Sequence, residues 1–168
     1  ALQVAPLHVE RYLESAEILG RAAAQRMDTL LPCEPGAEQA DALACGDAFI
    51  RDFGPRAWRR PLGNSEIAGL NALFALPYEV PDGFEGPAFE AGFTLVVETM
   101  LQSPYFLYRI EIGEPAEAAT VEASGIEGLH RLSGYEVASR LSYLLWQSMP
   151  DDALFEAAAD GTLDTPEG

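Results

Sequence analysis

Apolar residues recur every three or four positions along most of this chain, and no sustained two-residue alternation occurs. That periodicity predicts helices and an all-α fold. From Pro6 to Leu31 the stripe runs through Val9, Leu13, Ala16, Leu19, Ala23, Met27 and Leu30, with Pro6 suited to a first turn. Residues 32–37, PCEPGA, break that helix. A second is expected over Glu38 to Phe53, presenting Leu43, Ile50 and Phe53, with Gly54-Pro55 as its stop. A short turn at Ala57 and Trp58 then leads into Arg59-Arg60-Pro61.

The third helix begins near Asn64, with Glu66 three positions after Gly63, where a capping-box acid sits. Its stripe is Ile67, Leu70, Leu73 and Phe74. The proline- and glycine-rich run Pro77 to Pro87 reads as a surface loop. A fourth helix spans Ala88 to Gln102, turning Phe89, Phe93, Val96, Val97, Met100 and Leu101 inward and ending before Ser103-Pro104. Residues 105–108, YFLY, either finish that helix or form an extended connector. Residues 113–128 are acidic, alanine-rich and weakly periodic, and read as a linker. Ser133 and Glu136 make a capping box for a fifth helix with the stripe Val137, Leu141, Leu144 and Leu145. Asp151 caps a sixth, which ends at Gly161 in the left-handed region.

The expectation is therefore a helical, bundle-like chain of about six helices in two units, with a proline/glycine-rich loop and an acidic linker. Residues 1–32 would close a preceding domain, 33–112 form a helical domain, 113–128 link, and 129–168 open a following domain. Thr165-Pro166-Glu167 reads as the cap and first turn of one more helix, so a longer polypeptide is expected.

Charge narrows the partners. The net charge is −17, ten arginines carry all the positive charge, and there is no lysine. So acidic a surface disfavours nucleic acid and anionic membranes. No apolar run is long enough to span a bilayer. Cys33 and Cys45 are too few for a zinc site without nearby histidines and do not form C-x-x-C. They read as a disulfide, with two buried thiols as the alternative. Such a bridge would contribute about 3 kcal/mol and place the protein outside the cytosol.

Several long, ordered runs carry a resemblance. They are Leu2-Gln3-Val4 through Tyr12-Leu13 and Ala16-Glu17; Cys33, Cys45, Phe49-Ile50, Phe53-Gly54 and residues 56–62, RAWRRPL; residues 101–109, LQSPYFLYR, with Glu111; and residues 131–136, RLSGYE, continuing through Arg140-Leu141-Ser142-Tyr143 and Trp146 to Pro150-Asp151-Asp152. The chain resembles large secreted proteins, mostly planctomycete and myxobacterial, built of consecutive domains of unknown function and often carrying c-type cytochrome modules. Gly63 departs from that pattern, which typically has a threonine cap there. The resemblance implies an extracytoplasmic protein whose partners are other domains of the same polypeptide, a cytochrome module among them. Haem c would sit in those other modules, because this chain has no C-x-x-C-H and so no cofactor of that kind. The resemblance carries over no catalytic residues.

Candidate chemistry is sparse. Arg51, Arg56, Arg59 and Arg60 concentrate positive charge within ten residues; Arg56, Arg59 and Arg60 are the possible contacts for an anionic ligand such as a haem propionate or a uronic sugar. The competing use is ion pairing with the many acids and helix capping. Phe53 and Trp58 read as packing before they read as a sugar platform. His8 and His130 stand alone, and Met27 and Met100 lie on helical stripes; Met149, like them, is a conceivable iron ligand. Asp151-Asp152 suits a helix N-terminus, and Glu10 with Glu14 beside Arg11 suits a solvated face. No nucleophile elbow, P-loop, dinucleotide fingerprint or helical zinc motif occurs. The expected role is a non-catalytic scaffold; a haem-dependent oxidoreductase wall and a polysaccharide-binding module are the alternatives.

Overall fold

The computed structural model describes residues 6–164. The expectations for Leu2 to Val4 and for Thr165 to Glu167 lie outside the described residues. The chain divides into two compact units, Ala1–Leu107 and Tyr108–Gly168.

Unit 1 is built from α1 (Pro6–Ala24), α2 (Met27–Leu30), α3 (Gln39–Trp58), α4 (Asn64–Glu79), α5 (Ala88–Gln102) and the single turn α6 (Pro104–Leu107), with a 3-10 turn at Pro81–Gly83. Phe49, Ile50, Phe74, Phe93, Val96 and Met100 form its solvent-free centre. Burying each such side chain is worth about 1.5–3 kcal/mol, so this cluster dominates the unit's cohesion. Gly92 is where α5 meets α4 most closely. A Cβ there would stand 2.3 Å from the Phe74 carbonyl oxygen, so only glycine permits the approach.

Three features of unit 1 depart from the periodicity. First, the expected helix over 6–31 breaks at Gln25-Arg26, and the separate turn α2 brings Met27 and Leu31 back against the core. Second, α3 runs through Pro55 to Trp58, and α4 runs through Pro77 to Glu79. Each proline sits in the last turn, where it removes one backbone bond, and packing offsets that loss. Pro77 itself is buried. The end of α3 is secured by the Arg59 and Arg60 N–H groups, both donating to the Pro55 carbonyl. Third, α1 turns Ala16, Gly20 and Ala24 inward onto α5, its principal neighbour, and leaves Val9, Leu13 and Leu19 exposed. Small residues let the two backbones approach, and a large-residue stripe gives no hint of that.

Unit 2 contains a two-residue antiparallel ladder, Glu114 with Arg131 and Pro115 with His130, pairing β1 (Glu114–Pro115) with β2 (His130–Arg131). Between the strands lies α7 (Ala118–Ser124), ended by Gly125 at φ +67°. Residues 113–128, expected as a linker, thus hold a helix and one ladder strand and fall within this unit. Next come α8 (Gly134–Trp146), α9 (Asp152–Ala159) and a 3-10 turn at Thr162–Asp164. Ser133 and Glu136 form the expected capping box, and the Leu154 N–H donates to Asp151.

The buried face of α8 differs from the expected one. Gly134, Ala138, Ser139 and Ser142 are buried, whereas Leu144 and Leu145 are 75% and 67% exposed. A Cβ on Gly134 would lie 3.1 Å from the Ala158 backbone, so α8 and α9 meet through their smallest residues. The fold among the described residues is all-α.

Candidate functional site

The sequence run RAWRRPL and residues 101–107, LQSPYFL, converge on one corner of unit 1, where the end of α3 meets α6. The Trp58 indole N–H donates to the Met100 carbonyl at 3.2 Å. Arg59, at φ +57°, ends α3 in the left-handed conformation usual for glycine, and only 7% of its surface is exposed. Its guanidinium donates to three carbonyls: Ala57 at 3.3 Å, Phe106 at 3.4 Å, and Tyr105 in the closest of these contacts. Arg60 lies over the Tyr105 ring at 4.0 Å and near the Trp58 ring at 5.5 Å. It also grips Glu66 with both terminal guanidinium nitrogens, at 3.0 and 2.7 Å. Those bonds, helped by the Gly63 N–H, hold the Glu66 carboxyl below the ordinary carboxylate range.

The structure therefore disperses the arginine cluster. Arg59 is buried, Arg60 is half-buried on Glu66, and Arg51 pairs with Asp47 at 2.7 Å. Arg51 and Asn71 together depress the Asp47 carboxyl. Arg56 is exposed on the last turn of α3. The three possible anion contacts, Arg56, Arg59 and Arg60, are not presented together to solvent. Phe53 stacks on Phe49 at 5.3 Å, and Trp58 tilts against Tyr105 at 5.5 Å, so both serve packing.

Cys33 and Cys45 form a disulfide, 5.8 Å between Cα atoms. The bridge ties the segment after α2 to a buried position in the second turn of α3.

Unit 2 has its own polar knot. Glu136 accepts from the Ser133 N–H and hydroxyl, and also from the Ile112 and Gly113 N–H groups at 2.8 and 3.0 Å. Burial pushes its carboxyl up, but these bonds outweigh burial and leave it below the ordinary range. Arg140 pairs with Glu111, and Arg109 lies over the Tyr143 ring at 4.9 Å. The capping box was legible from Ser133 and Glu136. The reach of Glu136 to residues 112 and 113 was not, because no sequence signal marks contacts across 24 and 23 residues.

His8 stacks beside Tyr12 on exposed α1, and His130 meets the Ile112 carbonyl at 3.0 Å. Met100 is core, Met27 packs against the core, and Met149 is partly exposed. Glu14 pairs with Arg11 at 2.6 Å on the outer surface of α1, while Glu10 is exposed. Among the described residues, no group of three or more His, Cys, Asp or Glu side chains is placed to hold a metal ion. No helix among them is long and apolar enough to cross a membrane.

One acid is strained by its surroundings. Glu98 on α5 lies against Gly20 of α1, and burial, then the nearby Glu17 charge, push its carboxyl up against the opposing pull of Arg21. Because the folded value lies above the unfolded one, folding binds a proton in the window between them. Stability is then greatest below the ordinary carboxylate value and falls as pH rises through the folded value. Glu98→Gln is expected to raise the urea midpoint of unit 1 at pH 7 and to lose that advantage by about pH 3. An equal shift at both pH values would assign the gain to packing and remove the electrostatic explanation.

Comparison with known families adds two matches. Residues 45–111 match the PSD5 family model, a protein of unknown function (DUF1595), and residues 132–168 match PSD4, a protein of unknown function (DUF1592). The chain carries two consecutive domains of unknown function. No curated protein and no solved structure matches it. The PSD5 match opens at Cys45, so the disulfide fastens the preceding segment to the first residue of that domain. Helix α1 lies ahead of the match, yet Ala24 belongs to the same core. The PSD4 match opens at Leu132, immediately before the Ser133 cap.

Proposed function

We propose that this chain is a non-catalytic helical scaffold segment of an extracytoplasmic multidomain protein, and that it holds neighbouring modules, a c-type cytochrome module among them. The observation that carries this reading is the use made of the corner residues. Arg59, Arg60, Glu66, Trp58 and Tyr105, the most chemically suggestive group in the chain, bind one another and the backbone. The Cys33–Cys45 bridge supports an oxidising compartment. The cytochrome module rests on the resemblance of the RAWRRPL, LQSPYFLYR and RLSGYE runs. The haem-wall and polysaccharide alternatives relied on outward-facing arginines, and the inward placement of Arg59 and Arg60 favours neither.

A scaffold needs surfaces for its neighbours, and the end of α8 has that character: Leu144, Leu145 and Trp146 are all exposed on consecutive positions. The isolated chain is expected to bind the neutral dye Nile red and to self-associate in sedimentation runs at high salt, where its charge is screened. Leu144→Glu with Leu145→Glu should abolish both without changing stability. A clean monomer that leaves the dye dark would sink the scaffold reading. A c-type haem spectrum in the full-length protein, absent from this chain alone, would support the cytochrome association; a full-length protein without haem would remove it.

A further inference from the structure

Helix α6 is a single turn, Pro104–Leu107, and it is the last element of unit 1 before the chain passes to Tyr108 and unit 2. A helix that short does not persist by its own backbone bonds, here from the Phe106 and Leu107 N–H groups to the Ser103 carbonyl. Something outside it must hold it. The groups at hand are the Trp58 ring against Tyr105, the Arg60 guanidinium over the same ring and the Arg59 guanidinium on the Tyr105 and Phe106 carbonyls. Of these, Arg59 is the one that bonds the carbonyls of the turn, at Tyr105 and Phe106. The same guanidinium also takes the Ala57 carbonyl in the last turn of α3.

Position 59 makes this use of an arginine informative. Its backbone is left-handed, where glycine is the unstrained residue and any other side chain carries a penalty. A residue needed only to end α3 would be served best by glycine. The strained arginine is accounted for by what its side chain does at α6.

We infer that Arg59 is a latch: its guanidinium clamps the carbonyl ends of α3 and α6 together and fixes the point at which the chain leaves unit 1. With the latch open, α6 frays while the core of unit 1 stays folded, and the segment leading to unit 2 gains several residues of slack. The purpose of such a latch rests on the scaffold reading, since a scaffold requires a fixed exit point. Its existence does not, and the two are tested by different measurements.

The test is native-state hydrogen exchange on the whole chain with Arg59→Gly and Arg59→Lys. Glycine keeps the left-handed turn and removes the clamp. Lysine keeps a charge but cannot fork to several carbonyls. Charge-assisted bonds of this kind account for about a tenfold or greater change in an opening equilibrium. Exchange at the Phe106 and Leu107 amides should therefore accelerate about tenfold or more in Arg59→Gly and by a smaller factor in Arg59→Lys. Val96 and Val97 in the core of α5, and the residue 60 amide that caps α3, should keep wild-type rates in the glycine variant. Unchanged exchange at 106 and 107 would overturn the latch and leave the Arg60 and Trp58 contacts with Tyr105 as the holders of α6. Equal acceleration of α5 and α6 would also overturn it, since Arg59 would then serve the whole unit alike. If the glycine variant fails to fold, the lysine variant decides by the same comparison.

Discussion

Replacing Phe49 with alanine is expected to cost unit 1 about 3–5 kcal/mol, the usual penalty for emptying a fully enclosed aromatic site. Phe49 is inaccessible to solvent, 4.6 Å from the Phe93 ring and 5.3 Å from the Phe53 ring. The truncation removes packing shared by α3 and α5. A domain of this size has about 5–15 kcal/mol in total, so the variant should fall near the edge of folding. The chain supplies a convenient readout, because Trp58 lies in unit 1 and Trp146 in unit 2. Single Trp→Phe variants separate the two signals during urea unfolding. The Trp58 transition should move to much lower urea, while the Trp146 transition stays in place. A joint shift would mean that the units unfold as one, and no shift would contradict the central place given to Phe49.

The second large effect is expected from opening the disulfide. Closing a loop of 12 residues' separation restricts the unfolded chain by about 3 kcal/mol in the chain-entropy account. Dithiothreitol, or Cys33→Ser with Cys45→Ser, should lower the unit 1 midpoint by a corresponding amount and spare unit 2. Cys45 is one turn before Phe49 on α3, so the bridge bears on the helix that also carries the core. If reduction leaves the Trp58 transition unmoved, the unfolded loop already holds its ends together and the bridge adds nothing to equilibrium stability.

Much of the architecture was legible because local signals and tertiary packing agreed. The fourth expected helix, Ala88 to Gln102, coincides with α5, since its apolar stripe and its flanking prolines point the same way. The caps at Ser133 and Asp151 are local chemistry and read directly. The prolines misled because a stop signal in the last turn is weak against a buried neighbour such as Pro77. Stripes misled on α1 and α8 because periodicity ranks residues by hydrophobicity, whereas those helices bury what is small. The candidate site was half legible. Four arginines in ten residues announce charge, but nothing in the sequence shows that the carbonyls of Tyr105 and Phe106, 46 and 47 residues on, come to Arg59.

The two faces of α8 answer to different constraints. On one, Gly134 is limited by the closeness of α9 and Ala138 and Ser142 are buried, so a change to any larger residue there tests the fold of unit 2 itself. On the other, Leu144 and Leu145 are largely exposed, so folding constrains them far less. Drift at the small residues would be purged by misfolding, whereas drift at the leucines would be purged only by whatever they touch. Under the proposed scaffold role, a helix divided in this way lets the exposed face of a module change while its architecture stands still.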